Sequence, residues 1–342
     1  MIVQACVRLR VILAAAAGVL LLLCPQSSLS EEPNLALGPL PNMPIPAYNL
    51  QTDAKVELGK MLFFDTRLSK GNAISCAFCH NPGTGWADSR QFSVGVGGGQ
   101  GGRQAPTVLN TGYQTFQFWD GRAGSLEEQV LGPIQNPIEM AETLPGVVKK
   151  LSAVPEYRKR FKEVFGTEVS AEGIARAIAA FERTVVSTNS AYDRYLAGDK
   201  GALSEPALRG LGLFTGKARC ALCHNGPNFT DNRFHNIGAP QVGPLKEDVG
   251  RYAVSKQEQD RMAFKTPTLR SVALTAPYMH DGVFKTLDEV IEFYNKGGEA
   301  VPGKDVFMAP LNLNDQEKKD LVEFLKALTG EAMKISMPKL PR

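Results

Sequence analysis

The sequence contains few of the residues that crosslink chains or bind metals. Only 4 of its 342 residues are histidine, and 6 are cysteine. Its 38 basic residues nearly balance its 35 acidic ones, so the formal net charge is +3. No basic tract indicates nucleic-acid binding, and no apolar run after the first thirty residues suggests a membrane span. The few cysteines and histidines therefore indicate where the chemistry lies.

The first thirty residues have the pattern of a signal peptide. Two arginines precede a short apolar core, Val11 to Cys24, and residues 28–30 are small enough for signal peptidase. The apolar core is too short for a spanning helix. Cys24 raises the alternative of a lipoprotein, but Leu23 before it is too bulky for a good lipidation site. We expect residues 1–30 to be removed, which leaves a soluble periplasmic protein with four cysteines.

Those four cysteines lie in two copies of one motif. The copies are Cys76-Ala77-Phe78-Cys79-His80 and Cys220-Ala221-Leu222-Cys223-His224. Two thiols at i and i+3, followed by a histidine, form the attachment signature of c-type haem. The thiols bond to the porphyrin and the histidine binds the iron. A zinc site would need further ligands at finger-like spacing, which His235 and His280 do not supply. The sequence predicts two covalently bound haem c groups.

The two halves of the chain repeat each other. Ala105-Pro106-Thr107 matches Thr266-Pro267-Thr268, and Trp119-Asp120-Gly121 matches His280-Asp281-Gly282, both at an offset of 161 residues. Gly-x-x-Leu-Phe also precedes both haem motifs. We therefore expect a mostly α fold of two cytochrome c-like domains related by internal duplication. The predicted boundaries are residues 31–190 and 191–342.

Apolar periodicity and capping patterns predict where the helices lie. The expected helices begin at Asp53 and after the capping boxes at Ser125, Thr286 and Asn314, and they also cover residues 151–165 and 171–186. The last helix is expected to end at Gly330. Residues 81–102 are rich in glycine and serine and are expected to be a loop.

The 161-residue offset compares the helices that would cover the two haems. On their inward faces, Leu126, Gln129, Val130 and Pro133 correspond to Leu287, Val290, Ile291 and Tyr294. Proline has no donor atom for iron, so the haem of the first motif would keep an open coordination site. A tyrosine phenolate can bind iron, so Tyr294 can close the second site. A packed core aromatic is the alternative for Tyr294.

Polar residues near the first haem motif have no polar counterparts near the second. Gln129 has only Val290 as its counterpart, and Glu139 follows shortly after the same helix. An open iron beside a carboxylate and an amide suits peroxide chemistry, because a carboxylate can move a proton between the two peroxide oxygens. A solvated Glu139 and a surface Gln129 are the simpler alternatives.

Four further motifs connect the chain to a known family. They are Phe118-Trp119-Asp120-Gly121-Arg122, Gly132-Pro133 followed by Glu139-Met140, Phe264-Lys265-x-Pro267-Thr268-Leu269-Arg270, and Pro277-Tyr278-Met279-His280-Asp281-Gly282. With two haem motifs in this order, the chain resembles the bacterial dihaem cytochrome c peroxidases and the MauG enzymes. The resemblance runs from about Leu58 to Gly330.

The resemblance implies roles for individual residues. Glu139 and Gln129 correspond to the acid–base pair at the peroxide-binding haem, which makes the N-terminal domain peroxidatic and the C-terminal domain the electron-transfer domain. Trp119 corresponds to the relay between the haems. The carbonyl groups of Thr275 and Pro277 correspond to ligands of a calcium ion. Gln104 stands where the family has an asparagine as the third calcium ligand.

Two departures from typical peroxidases indicate the MauG type. Val96 replaces a distal histidine, and Tyr294 replaces a methionine ligand. This type uses hydrogen peroxide to oxidise a partner protein through high-valent haem, as in the maturation of the tryptophan-derived cofactor of methylamine dehydrogenase. One position does not fit, because Ala218 stands where MauG has a tryptophan.

Two alternative functions and several alternative ligands stay open. A cytochrome c peroxidase would reduce peroxide with electrons from a small cytochrome c or a cupredoxin. A dihaem electron carrier would need neither an open iron nor Glu139. Near the second haem, His235 and His280 are expected to form hydrogen bonds, and Met279 and Met308 are rivals of Tyr294 as sixth ligand.

Overall fold

Helices make up nearly all the regular structure. The computed structural model describes residues 37–245, 247–331 and 335–342, so the expected signal peptide lies outside the described residues. The helices are α1 (Asp53–Phe63), α2 (Cys76–Cys79), α3 (Leu126–Gln135), α4 (Leu144–Ser152), α5 (Pro155–Phe165), α6 (Ala171–Glu182), α7 (Ala191–Leu196), α8 (Glu205–Thr215), α9 (Tyr252–Ser255), α10 (Leu287–Lys296) and α11 (Asp315–Ala327). Two short antiparallel strands, β1 (Phe234–His235) and β2 (Phe264–Lys265), pair with Phe234 opposite Lys265. The predicted mostly α class is confirmed.

Side chains at the helix starts explain several of the observed boundaries. The capping boxes predicted at Thr286 and Asn314 are both complete, since each side chain accepts from the N3 amide and the N3 glutamate accepts in return. The box predicted at Ser125 is only half formed. Ser125 Oγ accepts from the amide of Glu128, but Glu128 Oε2 accepts at 2.7 Å from Gly124 instead of Ser125. The return bond is therefore displaced by one residue.

Three predicted boundaries are wrong. Residues 151–165 do not form one helix, because α4 ends at Ser152 and Pro155 begins α5. Proline has no amide hydrogen and holds the preceding residue, Val154, in an extended conformation, so the chain must break there. Helix α6 ends at Glu182 instead of 186, and α11 ends at Ala327 instead of 330. The predicted loop at 81–102 is irregular apart from two single 3-10 turns.

Two helix pairs form the frame of the molecule, and each crosses at a glycine. Helix α1 packs on α6, and α8 packs on α11. A Cβ atom on Gly59 would lie 1.8 Å from the carbonyl oxygen of Ala177, and one on Gly210 would lie 2.0 Å from that of Asp320. The Gly-x-x-Leu-Phe repeat in the sequence thus reflects two close backbone contacts.

Each helix pair has its own hydrophobic core. The first core draws its fully buried members from residues 58–185, and the second draws them from residues 192–328. In each core a phenylalanine of one helix packs against one of the other, with ring centroids 5.3 Å apart for Phe63 and Phe181 and 5.1 Å apart for Phe214 and Phe324. The described residues nevertheless belong to one compact unit. The division at residue 190 therefore stays a prediction. No helix in the described part of the chain is both long and apolar enough to cross a membrane.

The crossings lead to a stability prediction. Gly210→Ala should destabilise the holoprotein by about 1–3 kcal/mol, because the added methyl group must push two helix backbones apart. Gly212 lies on the same helix with open space around it, so Gly212→Ala should instead stabilise by roughly 0.5–1 kcal/mol. Urea unfolding of both variants and the parent measures the difference. Equal stabilities would mean that the crossing tolerates a side chain.

Candidate active site

Each Cys-x-x-Cys-His motif lines a cavity of its own. The cysteines and histidine of the first motif lie in the wall of cavity one, which has a volume of about 450 Å³. Those of the second motif lie in the wall of cavity two, with a volume of about 210 Å³. All four cysteines are unpaired. Each motif thus offers its cavity two free thiols and one imidazole, which is the donor set that a covalently bound haem requires.

Both histidines are held in the orientation that an iron ligand needs. His80 Nδ1 lies 2.9 Å from the carbonyl oxygen of Pro106, and His224 Nδ1 lies 3.0 Å from that of Phe229. Burial lowers the pKa of both imidazoles, so each is neutral at physiological pH. A neutral ring that donates from Nδ1 leaves the Nε2 lone pair for a metal. The residues present therefore fit a haem iron in each cavity.

Helix α3 and the turn after it cover one side of cavity one. Gln129 and Pro133 both line the cavity, as the apolar spacing predicts, and Glu139 joins them from the turn beyond the helix. The Asn136 amide donates to Glu139 Oε1 at 2.7 Å. Burial raises the pKa of Glu139, although this hydrogen bond and the charge of Arg122 act in the opposite direction. The carboxyl group is thus fixed in place, and its proton is held more tightly than that of an exposed glutamate.

The loop that contains Val96 packs against the same turn. The amide of Val96 donates to the Glu139 carbonyl oxygen at 2.8 Å. Gly95 allows this approach, because a Cβ atom there would lie 2.2 Å from the carbonyl oxygen of Ile138. The Val96 side chain packs against the first hydrophobic core. The backbone of this loop therefore supports Glu139, and Val96 offers no ligand atom.

Helix α10 covers cavity two in the corresponding way. The four residues predicted on its inward face, Leu287, Val290, Ile291 and Tyr294, all line the cavity. Tyr294 lies in the last turn of the helix, which Gly297 ends in the left-handed conformation. Burial, and then the charges of Cys223 and Cys220, raise the pKa of Tyr294. A phenolate at this position therefore needs a positive charge beside it, which a ferric iron supplies.

The two cavities share a wall. Gln104, Pro106, Thr107 and Trp119 line both of them. The indole Nε1 of Trp119 donates to the Gln104 carbonyl oxygen at 2.9 Å, and the Trp119 carbonyl oxygen accepts from Lys265 at 2.8 Å. The ring is thus held in the wall common to both cavities, and its role as a relay stays a prediction.

An arginine network stabilises this wall. Arg103 donates to Asp120 at 2.7 Å and makes two bonds of 2.6 and 2.7 Å to Asp248. Asp120 follows Trp119 directly, so the network ties the tryptophan loop to a distant segment of the second half. The role of Asp248 is not predictable from the sequence, because nothing in its local pattern pairs it with residue 103.

The residues expected near calcium have oxygen atoms available. Thr275 and Pro277 line cavity two, and in the described part of the chain neither carbonyl oxygen accepts a hydrogen bond. The Gln104 side chain is buried, and its amide nitrogen donates to the carbonyl oxygen of Asp88 at 3.0 Å. Carbonyl oxygens are suitable calcium ligands. The calcium site stays a prediction.

The remaining candidates near cavity two differ in what they can bind. His235 has both ring nitrogens in hydrogen bonds, to Asp231 at 2.8 Å and to Asp305 at 2.6 Å. The bond to Asp231 is the main reason that its pKa is raised to about 11, so the ring is protonated and has no lone pair for iron.

His280 stacks on Phe264 with ring centroids 3.7 Å apart. Burial lowers the pKa of His280 to about 4. Met279 and Met308 both line cavity two and remain rivals of Tyr294.

Two buried charged residues in the cavity walls were missed. Glu182 lines cavity one and Lys265 lines cavity two, and neither is more than 6% exposed. Glu182 follows directly on the apolar stripe of α6. Glu182 could therefore have been recognised as a charged residue at a position where the apolar periodicity of α6 predicts burial.

Comparison with known proteins identifies the group to which the site belongs. Residues 53–201 match the model of a family described as di-haem cytochrome c peroxidase. Over 302 residues the chain is 44% identical to the methylamine utilization protein MauG of Methylorubrum extorquens, covering 88% of this chain and 85% of that one. It is 43% identical to a cytochrome c551 peroxidase of Nitrosomonas europaea, covering 88% and 87%. Among solved structures, a MauG-like protein associated with microbial copper homeostasis aligns with a TM-score of 0.80 and 32% identity, covering 88% and 95%.

The geometry of cavity two predicts its sixth iron ligand. Phenolate oxygen stabilises ferric iron, whereas thioether sulfur favours the ferrous state. The ferric parent should lack the weak near-infrared sulfur-to-iron band, and Tyr294→Met should gain it together with a higher reduction potential. Met308→Leu is the control and should leave the parent spectrum unchanged. A sulfur band in the parent that Met308→Leu removes would assign the ligand to the methionine.

Proposed function

Because the chain belongs to the di-haem cytochrome c peroxidase family, we propose that it uses hydrogen peroxide to oxidise a partner protein, in the manner of MauG. It is a haem-dependent oxidoreductase of the peroxidase type. The observation that supports the finer proposal is the difference between the two cavities. Pro133 offers no ligand to cavity one, whereas Tyr294 occupies the equivalent place in cavity two, and Glu139 lines only cavity one.

Cavity one is the proposed site of peroxide cleavage. Cys76 and Cys79 would attach the first haem and His80 would bind its iron, and Pro133 would leave the opposite face free. The haem supplies the electrons and the iron that the cleavage of an oxygen–oxygen bond requires. Glu139 as a carboxylate accepts the proton of the near peroxide oxygen and returns it to the far oxygen, which leaves as water. Gln129 orients the bound peroxide through its amide group.

Cavity two is the proposed store of oxidising equivalents. Cys220 and Cys223 would attach the second haem, with His224 and the Tyr294 phenolate as its two iron ligands. Trp119, which lines both cavities, conducts electrons between them. A calcium ion held by Thr275, Pro277 and Gln104 would fix the segment between the cavities.

The proposed partner is a periplasmic protein that bears a tryptophan to be oxidised, as in cofactor maturation. The signal peptide expected at residues 1–30 supports a periplasmic location. One specific observation favours the alternative, a cytochrome c peroxidase fed by a small cytochrome c or a cupredoxin. Ala218, which is buried beside the second motif, lacks the aromatic ring that MauG has for electron removal from its substrate. Relatives of both kinds have similar identities to this chain.

The proposed role of Glu139 predicts a large kinetic effect. Glu139→Gln should keep both haems attached but slow peroxide consumption by about a hundred- to ten-thousand-fold, the usual range for general acid–base help. Because burial raises the pKa of Glu139, the parent rate should fall with decreasing pH already above the ordinary pKa of glutamate. Stopped-flow mixing with peroxide across this range measures both effects. Glu128→Gln, an exposed change on α3, is the control and should react like the parent. A Glu139→Gln rate equal to that of the parent would remove Glu139 from the mechanism.

The absence of a ligand atom at Val96 predicts direct reactivity of the ferric protein. Typical family peroxidases must displace a histidine after partial reduction, whereas Val96 leaves nothing to displace. The fully ferric protein should therefore consume peroxide without a lag, and pre-reduction should not accelerate the first turnover. Val96→His is the matched variant and should introduce a dependence on pre-reduction. A lag in the parent that pre-reduction abolishes would favour the cytochrome c peroxidase alternative.

A further inference from the structure

Glu182 places a second carboxyl group in the wall of cavity one. It occupies the last residue of α6, its side chain is only 4% exposed, and it lines the cavity together with Ile178. Its Oε2 atom has no hydrogen-bond partner in the described part of the chain. A buried carboxylate without partners is costly, so burial favours the protonated form of such a group.

The internal duplication shows that the fold does not require a carboxyl group there. Gly59 contacts the backbone of Ala177 on α6, and Gly210 contacts that of Asp320 on α11. Ala177 and Asp320 are therefore equivalent positions, at an offset of 143 residues. At the same offset Phe181 matches Phe324, and the two residues fill the same place in their cores. Glu182 therefore corresponds to Leu325, which lines cavity two. The same helix position is thus apolar in one cavity and ionisable in the other.

The surrounding charges leave Glu182 free to bind a proton. Its neighbour Arg183 is already paired with Glu127 through bonds of 2.7 and 3.1 Å. Burial raises the pKa of Glu182 to about 8, and the charges of Arg183 and Glu127 act on it in opposite directions. These two residues and Cys76 are the charged or titratable groups that act on Glu182 or feel its charge.

Glu182 and Glu139 act electrostatically on different cysteines of the first motif. Beyond the effect of burial, the charge of Glu182 raises the pKa of the Cys76 thiol, whereas that of Glu139 acts on Cys79. Both carboxyl groups therefore line the same cavity, and the charge of each reaches a different thiol of the motif.

We propose that Glu182 is a redox-linked proton-binding residue of cavity one. It binds one proton from solvent when one electron enters the haem attached to Cys76 and Cys79, and it releases that proton when the electron leaves. The driving force is electrostatic, because an added electron and a carboxylate repel each other in a medium of low dielectric constant.

This inference rests on the proposed function and extends its proton balance. Reduction of one hydrogen peroxide to two waters consumes two electrons, drawn from the partner protein, and two protons. Glu139 only moves the proton that peroxide brings, so both consumed protons must enter the cavity from elsewhere. Glu182 takes up one of them from solvent as an electron from the partner protein enters that haem.

The test is the pH dependence of the reduction potential of the haem in cavity one. Coupling of one proton to one electron lowers the potential by about 59 mV for each tenfold decrease in proton concentration. Spectroelectrochemical titration of the holoprotein from about pH 6 to about pH 9 brackets the pKa of about 8. The parent should approach this slope over part of the range. Glu182→Leu, which installs the residue of the second copy, should flatten it.

Matched variants separate this role from a structural one. Glu172→Gln makes the same chemical change on the exposed first turn of α6 and should keep the parent slope. Glu139→Gln should also keep it, since Glu139 is assigned to peroxide. Glu182→Gln preserves the side-chain shape and should lose both the slope and the infrared difference band of a protonated carboxyl group that accompanies reduction.

The outcomes are distinguishable from those of the peroxide mechanism. A flat parent slope, or a slope that persists in both Glu182 variants, would overturn the inference even if peroxide consumption were normal. A slope that Glu139→Gln abolishes would assign the proton to Glu139 instead. Conversely, a ferric protein that does not react with peroxide would overturn the proposed function while leaving the redox-linked proton intact.

Discussion

At two helix crossings the backbones touch so closely that only glycine fits between them. Gly59 and Gly210 each face a carbonyl group of the opposite helix, and these contacts fix the angle and depth at which α6 and α11 pack. The residues that follow on those helices form part of the cavity walls. The position of Ile178 and Glu182 in one cavity, and of Leu321 and Leu325 in the other, therefore depends on a contact made at the glycines.

The duplicated frame produces two cavities with the same donors and different chemistry. Both histidines donate from Nδ1 to a backbone carbonyl, and both motifs present two free thiols. The differences lie in the residues that the frame does not constrain. Proline replaces tyrosine on the covering helix, and a glutamate replaces a leucine at the end of α6. Gene duplication of a haem-binding frame, followed by changes at such positions, would be sufficient to separate the proposed reactive site from the proposed electron store.

The ionisable groups are also divided between the cavities according to burial and partners. In cavity one the two carboxyl groups, Glu139 and Glu182, have raised pKa values mainly because they are buried. In cavity two His235 lies between two carboxylates and carries a positive charge, while burial keeps His280 neutral. Buried carboxyl groups with raised pKa values thus line cavity one, the proposed site of peroxide reduction, whereas the buried Lys265 of cavity two has a pKa lowered by burial to about 8.

Local pattern alone determined much of this protein. The spacing of Cys76, Cys79 and His80, and its repetition, indicated two haem sites, because covalent attachment depends on a few adjacent residues. The 161-residue offset aligned Tyr294 with Pro133, since the two copies of a duplicated helix present equivalent residues to their own cavities. Only the tertiary structure placed Trp119 in a wall common to both cavities and Glu182 inside one of them. These positions result from contacts between segments far apart in sequence, and no periodicity within either segment encodes them.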